Sequence, residues 1–291
     1  MALGETIWTY FEGRWQQGNV PIMRAADHAT WLGTLVFDGA RRFEGRSPDL
    51  ERHLQRANDS CDAMGLRATL SLAEMMTICA EGLERIPVEQ AVYIRPMYWS
   101  VESAPNAVGA DPDSTAFAMC LEVVPMPSPG ATATLGLTRF SRPTLAQATV
   151  NAKAACLYPN NGRMLRDVNG RGFSNALVCD PLGNVAESAT SNVFMVRDGE
   201  VFTPIPNGTF LNGITRQRII GLLRADGVIV HETTLGVDDF FAADEIFLSG
   251  NLSKVTPVAG LEQRQMEPGR FARRARELYW DWAHSGAPVN A

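Results

Sequence analysis

Residues 150–159 read VNAKAACLYP, and the lysine at its centre, Lys153, is the residue around which the rest of the chain can be read. Only one other lysine, Lys254, occurs among 291 residues, so 24 of the 26 Lys and Arg side chains are arginine. A guanidinium stays protonated in any protein setting, whereas a lysine amine can be neutralised by desolvation and act as a nucleophile. The neighbours Ala152, Ala154, Ala155 and Cys156 are small or apolar, a setting that favours a neutral amine. The competing reading is a surface lysine at a strand edge.

Upstream of this stretch, PMPSPG at 125–130 places three prolines and a glycine in six residues. This is a stiff, extended linker and the best boundary in the chain. It divides an N-terminal domain (1–124) from a C-terminal domain (136–291), with 125–135 between them. In the first part, IWTYFEGRW predicts a hairpin turning at Glu12–Gly13, and DLERHLQRANDSCDAM predicts a helix ending at Gly65. A second helix over 72–85 precedes two strands, AVYIRPMYW and AFAMCLEVV. In the second part TATLGLTRF predicts a strand and NGRMLRDVNGRG a helix. NALVCDPLGNVAE and VFMVRDGEVFTP predict hairpins, ITRQRIIGLLRADG a helix closed by Gly227, and EIFLSG a strand. The fold class is α+β, a smaller N-terminal α/β domain and a larger C-terminal mixed one.

A net charge of −6 argues against a nucleic-acid binder, and no apolar run approaches membrane-spanning length. The start, MALGETIWTYFEG, has no basic region followed by an apolar one, so no secretory signal is expected. Five widely spaced cysteines without CxxC fit free thiols in a reducing, cytoplasmic compartment, and four scattered histidines argue against a metal site.

Three further features bear on chemistry. Glu187, in VAESATSNVF, is a carboxylate among small residues that suits a cationic ring nitrogen; a turn-facing glutamate is the competing reading. Gly213-Ile214-Thr215-Arg216 opens a helix whose free N–H groups suit a phosphate, with Arg56 a second contact; an ordinary helix start and a solvent-facing arginine are the competing readings. SGNLSKVTPV (249–258) offers another polar turn for a phosphate edge or a carboxylate, or a plain connection. A neutralisable amine, a carboxylate for a pyridinium and polar turns for a phosphate are the parts that pyridoxal phosphate needs.

In this order the motifs resemble the fold-type IV pyridoxal phosphate enzymes, the class IV aminotransferases that include branched-chain and D-amino-acid aminotransferases and aminodeoxychorismate lyase. The carrying elements are GTLVFDGARRFEG (33–45), HLQRANDS (53–60), YIRP (93–96), AKAACLY (152–158), NVAESATSNVF (184–194), FLNGITR (210–216) and EIFLSGNLSKVTPV (245–258). The resemblance implies Lys153 as the Schiff-base lysine and Tyr158 on the cofactor's phenolic oxygen. It implies Glu187 at the pyridine nitrogen, Asn192 near the ring, and Arg56, Ile214, Thr215 and Asn251 at the phosphate. Phe37, Gly39, Arg41, Tyr93 and Arg95 match the branched-chain pattern at the substrate. Leu32 stands where those enzymes carry tyrosine, and Gly250-Asn251-Leu252 replaces Gly-Thr-Ala, so Leu32, Asn251 and Leu252 mark where substrate recognition departs. The implied reaction is transamination between an amino acid, a branched-chain L-amino acid foremost, and a 2-oxo acid. The alternatives are an (R)-amine or D-amino-acid transaminase, an aminodeoxychorismate-type lyase, and a metabolite-binding module without chemistry. A homodimer or higher homo-oligomer is implied as well, with small-molecule donor and acceptor and neither nucleic acid nor membrane as partners. RFARRARELYWDWAH predicts a helix that packs Leu278, Trp280 and Trp282 inward, with Lys254, His28 and His53 in structural roles.

Overall fold

A computed structural model describes residue 4 and residues 6–285. The chain divides into two compact units, one of residues up to Met126 together with Asn151–Cys156, the other of Pro127–Val150 and Leu157–Ser285. The segment carrying Lys153, expected with the C-terminal part, therefore clusters with the first unit.

The first unit contains β1 (Ile7–Phe11), β2 (Arg14–Gln17), α1 (His28–Leu32), β3 (Leu35–Phe37), β4 (Ala40–Arg42), α2 (Leu50–Ala63), α3 (Leu72–Leu83), β5 (Val92–Ser100) and β6 (Thr115–Val123). The strands form an antiparallel sheet in the order β2-β1-β6-β5-β3, with β4 also on β5. Glu12 and Gly13 both have positive φ, as the tight turn between β1 and β2 requires. α2 buries Leu50, His53, Leu54, Ala57, Ser60 and Cys61, a stripe at i, i+3, i+4 and i+7. α3 starts at a reciprocal capping box, in which the Ser71 hydroxyl accepts from Glu74 N and the Glu74 carboxylate accepts from Ser71 N. Arg42 is buried and donates to the carbonyls of Leu83, Ile86 and Pro87, so it anchors the end of α3 to the sheet.

The second unit contains β7 (Ala133–Leu137), α4 (Tyr158–Asn169), β8 (Asn175–Cys179), β9 (Val185–Ser188), β10 (Asn192–Arg197) and β11 (Glu200–Pro204). It continues with α5 (Ile214–Ala225), β12 (Val230–Thr233), α6 (Val237–Ala242), β13 (Glu245–Gly250), β14 (Lys254–Leu261), β15 (Arg264–Gln265) and α7 (Arg270–Ser285). Its sheet runs β12-β11-β10-β13-β14-β7-β8-β9, with β15 on β14. The pairs β11–β12, β14–β7 and β7–β8 are parallel and the others antiparallel. β7 begins at Ala133, inside the stretch expected as linker. Helix and strand are thus mixed in both units, as the α+β expectation requires.

The inward face of α7 differs from expectation. Ala272, Ala275, Tyr279 and Ala283 are buried, while Leu278, Trp280 and Trp282 are only half-buried. Small residues let the helix approach the sheet, and the two indoles instead stack under guanidiniums, Arg276 on Trp280 at 3.8 Å and Arg218 on Trp282 at 3.9 Å. Glu245 at the start of β13 accepts from the Phe271 and Ala272 N–H groups and so caps α7; burial raises its carboxyl, which those two bonds oppose.

Candidate active site

In the first unit Lys153 is held by its backbone. Its N–H donates to Ser60 Oγ on α2 at 3.1 Å, its carbonyl accepts from Phe37 N at 3.1 Å, and Ala154 bridges to Val36 on β3. The segment is thus an irregular strand pinned between a helix and a sheet edge. Lys153 Nζ lies 5.0 Å from the centre of the Phe37 ring, so the structure brings together the expected catalytic lysine and an expected substrate residue.

One helical turn before Ser60, Arg56 meets Asp38 in a two-point ion pair, Nε to Oδ2 at 2.6 Å and Nη2 to Oδ1 at 2.9 Å. His53 Nδ1 also lies 2.7 Å from Asp38 Oδ1, and Gly39 N donates to the same oxygen at 2.7 Å. Burial alone would raise the Asp38 carboxyl, but the Arg56 guanidinium and then the His53 hydrogen bond hold it well below the usual carboxylate range. The planar fork of an arginine gripped in this way has a fixed direction. Asp38 was not anticipated as an orienting group; its signal is a lone carboxylate inside an apolar strand run, LVFDGA.

Gly39, Arg41, Tyr93 and Arg95 lie together where β4 pairs with β5. Arg41 is opposite Tyr93 in register, a Cβ at Gly39 would collide with the Tyr93 hydroxyl, and the Arg95 guanidinium lies 5.1 Å over the Tyr93 ring. Arg95 is also paired with Glu122 at 3.0 Å. Arg41 is fully buried; Nη2 donates to the Val124 carbonyl at 2.7 Å, but Nε and Nη1 meet no hydrogen-bond partner among the described residues. Burial pushes this guanidinium down to about 10, with Tyr93 opposing, so it stays charged at neutral pH. Leu32, by contrast, ends α1 in a partly exposed position just before Gly33, whose positive φ closes the helix.

The second unit brings together Glu187, Asn192 and the start of α5. Asn192 Nδ2 donates to the Leu211 carbonyl at 3.0 Å and to Glu187 Oε2 at 3.4 Å. Glu187 Oε1 lies 3.2 Å from Nε of the buried Arg142, which also donates to the Thr209 carbonyl and to Asn161 Oδ1. Arg142 is a residue that sequence reasoning missed, because nothing in its local sequence marks it. Gly213 precedes α5 and lets Asn192 come close, since a Cβ there would meet Asn192 Oδ1. Ile214 and Thr215 are buried, and no side chain caps the helix start, which leaves the N-terminal N–H groups suited to an anion. Arg216 beside them is committed elsewhere, to Asn212, Pro204 and Glu232. Tyr158 opens α4 and is partly exposed.

Asn251 and Leu252 form the turn between β13 and β14. They line a cavity of about 220 Å³ with Gly250, Ser253, Thr190 and Ser191 among the other walls. Asn251 Nδ2 is buried and meets no partner among the described residues. The buried arginine with spare donors in the first unit, and the uncapped helix start and orphaned amide in the second, are each features that an anionic group would satisfy.

Comparison with known proteins agrees with this chemistry. Residues 35–261 match amino-transferase class IV, and the chain belongs to that family. It is 58% identical to a Brucella abortus aminotransferase whose crystal structure holds the cofactor PLP; the match covers 96% of this chain and 100% of that one, with a TM-score of 0.95. The branched-chain-amino-acid aminotransferase of Salmonella typhimurium is 29% identical over 288 residues, 93% of this chain and 90% of that protein. That of Escherichia coli K12 is 29% identical over 289 residues, with the same two shares, 93% and 90%. The protein is a pyridoxal phosphate-dependent aminotransferase. No helix among the described residues is long and apolar enough to cross a membrane, and all five cysteines are free.

Proposed function

We propose that this enzyme takes a branched-chain L-amino acid as donor and a 2-oxo acid as acceptor. The observation that carries the reading is the Phe37 ring 5.0 Å from Lys153 Nζ, an apolar wall beside the amine, suited to an aliphatic substrate side chain. The names of the Salmonella typhimurium and Escherichia coli relatives point the same way.

Bound pyridoxal phosphate supplies an electron sink that makes the donor's Cα–H acidic. Lys153 would hold the cofactor through its amine, and that amine, once released, would be the base that takes up and returns the proton at the donor's Cα. Glu187, steadied by Arg142 and Asn192, would pair with a protonated ring nitrogen, and Tyr158 would donate to the phenolic oxygen. In the first unit Arg56, oriented by Asp38, would be a phosphate contact, and in the second unit the N–H groups of Ile214 and Thr215 would be another. The buried Arg41, with two donors to spare, favours an acceptor that brings a carboxylate.

Titrating the holoenzyme separately with L-leucine, D-alanine and (R)-1-phenylethylamine tests the donor. Conversion of the visible cofactor band by L-leucine is expected; conversion by either of the others alone overturns the assignment. An (R)-amine or D-amino-acid preference is the second reading, favoured by the replacement of Gly-Thr-Ala with Gly250-Asn251-Leu252.

We also propose a homodimer in a reducing, cytoplasmic setting. Trp31 is 60% and Val108 75% exposed, and His28 Nε2 lies 3.1 Å from the Val108 carbonyl, which ties the loop to α1. An exposed apolar patch of this kind suits a second copy of the chain. A monomeric mass by light scattering would remove this reading.

A further inference from the structure

The second lysine, Lys254, is fully buried and has a φ of +64°, a left-handed conformation that is costly for a residue with a Cβ. It pairs with Gly250 in the β13–β14 register, so Asn251, Leu252 and Ser253 form a three-residue loop closed by Lys254. Glycine is the usual residue at the closing position of such a loop. A lysine there accepts a strained backbone and a buried amine together, which calls for a task that only its amine performs.

That amine donates to Asn251 Oδ1 at 2.6 Å and lies 5.5 Å from the centre of the Tyr279 ring. That donation takes up the carboxamide oxygen and so sets which way the amide lies: oxygen toward Lys254, nitrogen away. An asparagine is ordinarily both donor and acceptor. Here its acceptor is taken up, and the buried Nδ2, with no partner among the described residues, is what remains.

We infer that Lys254 is a positioning residue that makes Asn251 a donor-only contact for an anionic oxygen, either the carboxylate of the amino donor or the phosphate of the cofactor. The inference rests on the reading that the 250–252 turn belongs to the substrate and cofactor site. It explains why this turn departs from Gly-Thr-Ala: the hydroxyl donor of a threonine is replaced by an amide whose direction is set by a lysine three residues on.

Asn251→Asp is the sharpest variant, because it keeps the Lys254 contact and the side-chain shape but turns the outward donor into an acceptor that repels an anion. A loss of about 10- to 100-fold is expected, as for a hydrogen bond to a charged group. If KM for the active donor rises while the cofactor dissociation constant holds, the partner is the substrate carboxylate; if the cofactor constant rises, it is the phosphate. Unchanged values for both overturn the inference. Lys254→Met should produce the same shift as Asn251→Ala, and the double variant should add nothing further. Additive effects in folded variants would make Lys254 merely structural and overturn the positioning role. Cofactor binding is read without any donor, so a mistaken donor assignment leaves this test intact, and should Lys254→Met not fold, the Asn251 variants decide alone.

Discussion

Lys153 and Lys254 occupy opposite settings. Lys153 lies on an irregular segment held by backbone hydrogen bonds to Ser60 and Phe37, half-buried beside an aromatic ring. Lys254 is sealed in the second unit with its amine on a neighbouring amide. Scarcity of lysine draws attention to both, and the roles proposed for them match these settings. A nucleophilic amine has to reach and leave its partner, so it needs a fixed backbone and a side chain with room to move. A positioning amine needs the reverse, an immobile head group.

The largest expected effect separates the two. Lys153→Ala should lower turnover by roughly 10⁴-fold or more, since both covalent attachment and proton transfer are lost. Loss of the visible cofactor band in Lys153→Ala, and its retention in Lys254→Met, would sharpen the contrast. Full activity in Lys153→Ala would break it.

Next comes the ion pair beside the Lys153 segment. Asp38→Asn removes the fully buried charge from the half-buried Arg56 and should cost about 3 kcal/mol in chemical denaturation at pH 7. The Asp38 carboxyl is depressed in the folded state, so its contribution is complete above the unfolded value of about 4 and is lost as pH falls below it. The stability difference between wild type and variant should therefore shrink on acidification; a gap that is constant down to pH 3 would show that the pair contributes nothing.

In the second unit, Glu187→Gln should slow both half-reactions by about 10²-fold through a weaker electron sink, measured by stopped-flow absorbance. An unchanged rate would separate Glu187 from the ring nitrogen. The smallest effect concerns thiols. Burial pushes Cys61 and Cys79 up to about 12, whereas Cys156, three residues from Lys153, is exposed. Alkylation of the native protein should label Cys156 first, by peptide mass mapping, and leave Cys61 and Cys79 unmodified.

Much of this was legible in one dimension. Alternating apolar residues drew β5 and β6, and Glu12–Gly13 and Asp198–Gly199 marked hairpin turns that the structure forms with positive φ. The helical stripe of α2 was equally plain. Local pattern works there because each element's own periodicity determines the face that it buries. α7 shows where it stops: indoles read as core residues turn out to be stacked beneath arginines. Hydrophobicity does not say whether a small side chain or a large one will meet the sheet.

The sequence by itself determined the family and the order of the motifs, because those depend on residue type and spacing. Only the tertiary structure decided what each charged group faces. Asp38 reaches Arg56 across 18 positions, and Arg142 reaches Glu187 from a different part of the chain. It also grouped Lys153 with the first unit and placed the Lys254 amine on Asn251. Ion pairs and orphaned donors are made by chain segments that meet only on folding, and no local periodicity encodes that meeting.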